Sequence, residues 1–254
     1  MNPVFSFSRF KLYFQYDLGR VWRRNRIDFL LVSLAGVMMY LLVHLRYLAL
    51  DGIWGEVSLA QQRLAFGLMT LLTELFLIRV YGWFNQKSLT MDYLLLPASA
   101  LEKTLSMLLI AIIIIPGAVL IVYTLFDYLL SVFDPSYATY WGNRLEYLSE
   151  VRAELSASGE PGPSILARVI IFLLNGMVEG LVCLACAMYF KKRRTLMALC
   201  FIFGIPILAI SVMVWSGLPR EEIFQLLKSM IKYLPLAGLP LVAAIYYKWK
   251  NATA

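Results

Sequence analysis

Two carboxylates, Glu74 and Glu179, fall near the middle of long apolar runs, where a charge cannot be left uncompensated. On insertion scales a charged side chain at the centre of a bilayer costs about 2.5–3.5 kcal/mol. Two readings follow. The acids face a polar pathway or a subunit contact, or they are neutral acids or internal ion pairs that hold helices together. Asn175 lies one turn before Glu179 and can hydrogen-bond it. The cations within reach are Arg46 and Arg79. Glu74 and Arg79 are five apart on one run, whereas same-helix partners stand three or four apart, so an interhelical pair is expected.

The other reactive side chains build less. His44 is the only histidine, so no multi-histidine zinc site can form, and it reads as an interfacial packing residue. Cys183 and Cys186 have Cys-x-x-Cys spacing but lie with Cys200 inside apolar runs, without a βαβ context, and read as small packing residues. There is no G-x-x-x-x-G-K-[ST] to cradle nucleotide phosphates and no G-x-S-x-G elbow. The chain is therefore not expected to be an enzyme.

The elements carrying these residues are membrane-length. Of 254 residues, 61% are hydrophobic and 15% charged, which leaves too little polar surface to coat a soluble domain. A spanning helix needs about 20 mostly apolar residues. Six runs qualify, at about 27–50, 64–83, 104–126, 166–190, 195–217 and 233–247. The last is short and holds Pro235 and Pro240, so it is expected to begin irregularly. Several prolines and glycines within the runs, Pro116, Pro206, Gly176 and Gly204 among them, favour a bending bundle over a rigid anchor. The expected fold is an all-α membrane protein of six transmembrane helices preceded by an interfacial helix.

Basic residues set the orientation. With the N-terminus inside, the inner links hold about fourteen Lys and Arg, from Arg9 and Lys11 through Lys87 and Lys103 to Lys191–Arg194, Lys248 and Lys250. The outer links hold about seven, against about ten carboxylates. Both termini are then cytoplasmic, and the net charge of +7 reports topology rather than nucleic-acid binding. No nucleic-acid partner is expected, and membrane lipids are. The first 26 residues lack the apolar core of a cleavable signal peptide. They read instead as a cytoplasmic interfacial helix, with Phe10, Phe14, Leu18, Val21 and Trp22 at helical spacing and Arg9, Arg20, Arg23 and Arg24 towards headgroups. The alternative is a charged arm that only retains the topology.

Residues 27–254 then form one transmembrane domain. Its longest outer segment, 127–165, opens with aromatics and turn formers, continues as an amphipathic helix around 143–156 and ends in a Gly/Pro breaker run, and is expected to be an external cap. A second outer stretch, 218–232, starts a short helix at Pro219, Glu221 and Glu222.

The inner segment 85–103 is more than a connector. It carries Lys87, Asp92, Tyr93 and Leu94, then Leu96 and Pro97, which stops a helix. Ser99 follows as an N-cap, with Glu102 three residues on to complete a capping box. The expected shape is a short helix, a sharp break and a new helix entering the membrane.

The run Asn85–Ser106, and above all Leu-Pro-Ala-Ser-x-x-Glu-Lys at Leu96–Lys103, resembles the cytoplasmic segment of ABC-2-type permeases, the membrane subunits of ABC exporters, in particular a Bacteroidetes-like group. In outline the resemblance covers the whole chain and implies the type V exporter fold in a bacterial cytoplasmic (inner) membrane. It departs from the superfamily in placing the larger outer insertion after the third span rather than before the sixth. The resemblance implies a coupling segment whose docking residues are Lys87, Asp92, Tyr93, Leu94, Leu96, Pro97, Ser99 and Glu102, with Tyr93 and Leu94 as anchors. It implies a separate ABC ATP-binding subunit as partner, holding the ATP and Mg, and a second permease copy, as a homo- or heterodimer. Two other function classes stay open: a non-transporting scaffold or accessory subunit whose cap binds a partner, and an ion-coupled secondary carrier using Glu74 and Glu179.

Overall fold

The computed structural model describes residues 5–50, 57–85, 96–134, 137–143, 146, 149, 165–190, 192–204, 207, 211 and 234–253. Every regular element among them is helical: α1 (Phe7–Ser33), α2 (Ala35–Leu50), α3 (Leu59–Tyr81), α4 (Ala100–Leu108), α5 (Ile115–Phe133), α6 (Ile165–Tyr189), α7 (Arg194–Leu199) and α8 (Gly238–Thr253). Short 3-10 turns at Gly82–Asn85 and Leu234–Ala237 and π-helical turns at Leu109–Ile114 and Cys200–Gly204 complete the series.

Among the described residues, three helical stretches are long and apolar enough to cross a membrane: Phe7–Leu50, Leu59–Tyr81 and Ala100–Phe133. The protein is thus an all-α chain of membrane type. The run 166–190 corresponds to α6. About half of 195–217, its later part above all, lies outside the described residues, and 233–247 falls on the 3-10 turn and the start of α8.

The interfacial helix expected to end at residue 26 does not end there. No breaker separates Gly19 from Ser33, and α1 continues through Arg26 into the first apolar run. The break comes at Leu34. Ser33 Oγ bonds back to the Phe29 carbonyl at 2.9 Å, a contact that tends to bend helices, and Gly36 follows within three residues. Leu34 N still reaches Leu30 O at 3.0 Å, so the join is a kink rather than a loop.

The π-turn at Leu109–Ile114 has a similarly local cause. Pro116 has no N–H to give the Ile112 carbonyl, and its ring crowds that carbonyl, so the helix widens just before it.

The chain divides into two compact units. The first holds Met1–Asn25, Glu74–Ile114 and Ile170–Ala254; the second holds Arg26–Thr73 and Ile115–Val169. In the first, α8 packs on α4, with Trp249, Ile245, Leu184, Met188 and Met107 buried. In the second, α2 packs on α5, with Tyr40, Val43, Val119 and Tyr123 buried. Gly36 allows that approach, since a Cβ there would lie 2.7 Å from the Tyr123 ring.

Candidate functional site

The elbow begins at Leu96. Leu96 is half-buried and Pro97 exposed, and Ala98 N turns back to Leu96 O at 2.7 Å. Ser99 then takes an extended conformation (φ −68°, ψ 159°) and caps α4. Its Oγ accepts from Glu102 N at 3.2 Å, while Glu102 Oε2 accepts from Ser99 N at 2.7 Å. Both halves of the capping box are formed, and Glu102 also places negative charge in the first turn, where the helix dipole favours it.

The other carboxylate oxygen does something the local pattern gave no hint of. Glu102 Oε1 accepts from the backbone N of Ser6 at 2.6 Å and from Arg9 Nη2 at 3.0 Å. Glu102 is 0% exposed and the Arg9 side chain 30%. Further along, buried Ser106 Oγ donates to buried Asp17 at 3.2 Å. Ser106 is one turn beyond Glu102 and Asp17 about two turns beyond Arg9, so each helix uses a single face. The start of α4 is therefore fastened to the start of α1.

A second clamp comes from α8. Lys103 is 1% exposed, with its ammonium 5.9 Å from the centre of the Trp249 ring, within cation–π range. Trp249 meets Phe84 edge-on at 4.8 Å. Lys103, counted from sequence among the inner-face cations, is thus a buried packing residue. Glu102, expected on the docking surface, instead has no surface and acts by holding the elbow's shape. Lys87, Asp92, Tyr93 and Leu94 lie outside the described residues, between the 3-10 turn at Gly82–Asn85 and Leu96.

Within the apolar runs, the partner of Glu74 is a second acid. The Glu74 and Glu179 carboxyls face each other, with fully buried Cys183 beside them. Glu74 is buried and Glu179 half-buried. Asn175 Oδ1, one turn before Glu179, is buried with no hydrogen-bond partner among the described residues. Arg46 is exposed on α2, and Arg79 is exposed in the last turn of α3. Cys183 and Cys186 are free thiols buried in the packing, and Cys200 is exposed.

The second unit holds a polar and aromatic cluster that the sequence did not single out. Asp127 Oδ1 accepts from Tyr137 OH at 2.6 Å and its Oδ2 from Tyr140 N at 2.8 Å. Burial, and next the bond to Asp127, hold the Tyr137 phenol above the ordinary tyrosine range. Tyr140 stacks on Phe66 at 4.7 Å, and Gln62 donates to Ala138 O and accepts from Asn143. His44 is buried here, with Nδ1 2.9 Å from Tyr40 O, while Tyr40 OH donates to Asp134 at 2.8 Å. The cluster pins the start of the 127–165 segment, most of the rest of which lies outside the described residues. The signal available from sequence was the Tyr137, Tyr140, Trp141 spacing after Asp127 and Asp134.

Comparison with protein-family models, with curated proteins and with solved structures gives no match.

Proposed function

We propose that the chain is the membrane subunit of an ATP-driven exporter of the ABC-2 type, with six spans, cytoplasmic termini and an inner-membrane location, working as a dimer with a separate ATP-binding subunit. The observation that carries the reading is the anchored elbow. A capped helix start follows directly on an inward segment bearing Tyr93 and Leu94, and its first turn is bonded to α1 through Glu102 and clamped by Trp249 of α8. A force applied to residues 87–96 by a docked partner would pass into α4 and the membrane-length helix Ala100–Phe133 instead of dissipating in a loose loop. Aromatic and aliphatic anchors such as Tyr93 and Leu94 suit the buried centre of that interface, with Lys87 and Asp92 at its rim. The sequence holds no P-loop, so this reading places the nucleotide site outside these 254 residues.

The test is purification from native membranes in mild detergent. An ATPase bearing a P-loop should copurify, and Tyr93→Ala or Leu94→Asp should abolish transport-linked ATP hydrolysis while leaving the helices folded. Unchanged transport and copurification in both variants would remove the reading.

One observation favours a second reading. The Glu74–Glu179 carboxyl pair is the arrangement an ion- or proton-coupled carrier would need within its spans. That reading requires Glu74→Gln and Glu179→Gln to abolish transport without lowering thermal stability.

A further inference from the structure

Helix α1 has no joint between its charged first half and its apolar second half. It runs from Phe7 to Ser33 as one helix and bends only at Leu34. An interfacial helix set off from its span by a loop would absorb a push at its free end. A hydrogen-bonded helix passes the push along its length.

The attachments to α4 lie at the charged end of this rod. Glu102 Oε1 holds Ser6 N at 2.6 Å and Arg9 Nη2 at 3.0 Å, and Ser106 Oγ donates to Asp17 Oδ2 at 3.2 Å. Ser106 is 0% exposed and Asp17 1%. Burying a carboxyl between two helices is unfavourable, and an apolar pair of the same size would pack there with less penalty. What a polar pair adds is register. Hydrogen bonds are directional, so they fix where α1 stands along α4, whereas an apolar contact between the same faces could slide. Two attachments, one turn apart on α4, also keep α1 from pivoting about either one.

We infer that α1 is a second output of the elbow: a displacement of residues 87–96 enters α1 through Glu102 and the Asp17–Ser106 pair and travels undivided to the bend at Leu34. The push is then delivered to two membrane-length stretches, Phe7–Leu50 and Ala100–Phe133, rather than to one. Asp17 and Ser106 are positioning residues in this scheme. The inference rests on the exporter reading and assigns a transmission path within it.

The experiment uses the complex with its ATPase, purified from native membranes into nanodiscs. It reads the ATP hydrolysis stimulated by the membrane subunit over that of the ATPase alone, together with the amount of ATPase retained. Arg26 and Ile27 are exposed on the uninterrupted part of α1. The double variant Arg26→Gly/Ile27→Gly softens the helix there, while Arg26→Ala/Ile27→Ala removes the same side chains and keeps it stiff. The glycine pair should lower stimulated hydrolysis about fivefold with the ATPase retained, and the alanine pair should stay within about twofold of wild type. Ser106→Ala removes the register bond and leaves the rod intact, and should lower it about threefold. Thermal unfolding checks each fold, and Ser106→Ala carries the test if the glycine pair does not assemble. Wild-type stimulation in the glycine pair or in Ser106→Ala, or equal losses in the glycine and alanine pairs, would overturn the inference. The exporter reading would survive that result if Tyr93→Ala still uncouples. A wild-type preparation without a P-loop ATPase would instead end the exporter reading, and this inference with it.

Discussion

Glu102→Ala should loosen the N-terminal helix, although residues 6–9 and 102 are more than ninety positions apart in the chain. The carboxylate satisfies three donors: Ser6 N at 2.6 Å, Ser99 N at 2.7 Å and Arg9 Nη2 at 3.0 Å. Leaving a buried donor unpaired costs about 1–3 kcal/mol. Ser6 and Ser99 are only half-buried, so the lower end, about 1 kcal/mol each, is appropriate. Arg9 is 30% exposed, and its share, discounted for solvent, is about 1 kcal/mol or less. Only Ser6 and Arg9 belong to the N-terminal segment, so the share that bears on its opening is about 2 kcal/mol, equivalent to about a thirtyfold increase in local opening. Hydrogen exchange over residues 7–20 in nanodiscs reads that opening directly. Glu102→Gln keeps the shape but points an amide at one of the donors, and should give about tenfold. Arg9→Ala leaves both backbone donors satisfied and should give about fivefold or less. Exchange within about twofold of wild type in Glu102→Ala, or an effect of Arg9→Ala as large as that of Glu102→Ala, would refute the anchoring role.

Three further outcomes follow from the same geometry. Trp249→Ala removes a side chain 1% exposed between Phe84 and Lys103 and should cost about 3–5 kcal/mol, read as an earlier thermal transition in detergent. Asp127→Ala orphans Tyr137 OH and Tyr140 N and should cost about 2–4 kcal/mol, visible as altered Trp141 fluorescence; unchanged emission and stability would contradict the cluster. Glu74→Gln should stay within about 1 kcal/mol of wild type, because an amide can still give and accept opposite Glu179, whereas Glu74→Ala should cost more. Thermal unfolding in one detergent compares the pair, and equal losses would mean that the contact contributes nothing.

What could be read from the chain was local. Ser99 and Glu102 declared the capping box by their spacing, and Pro97 declared the break before it, because both rules act within one turn of helix. Long apolar runs likewise gave away the membrane-length helices, since length and composition alone decide that property. The second use of Glu102 was hidden. Its partners are set by how α1 packs on α4, and a side chain that looks like a cap gives no sign of the donors on its other oxygen. Lys103 misled for the same reason: a lysine after a cap reads as a solvated charge until Trp249, from the far end of the chain, covers it. The partner of Glu74 was sought among cations because opposite charges attract, yet the side chain that faces it is a second acid. The continuity of α1 across residue 26 was missed because a change from charged to apolar composition was read as a boundary, although nothing in the backbone there breaks a helix.

The most direct measurement places a photoreactive amino acid at Tyr93 in the protein as it stands in its native membrane. On illumination the exporter account requires a covalent adduct with a P-loop ATPase that hydrolyses ATP, lost when Leu94 is changed to Asp. Labelling only from the outer side of the membrane, or an adduct that never contains such an ATPase, would contradict it.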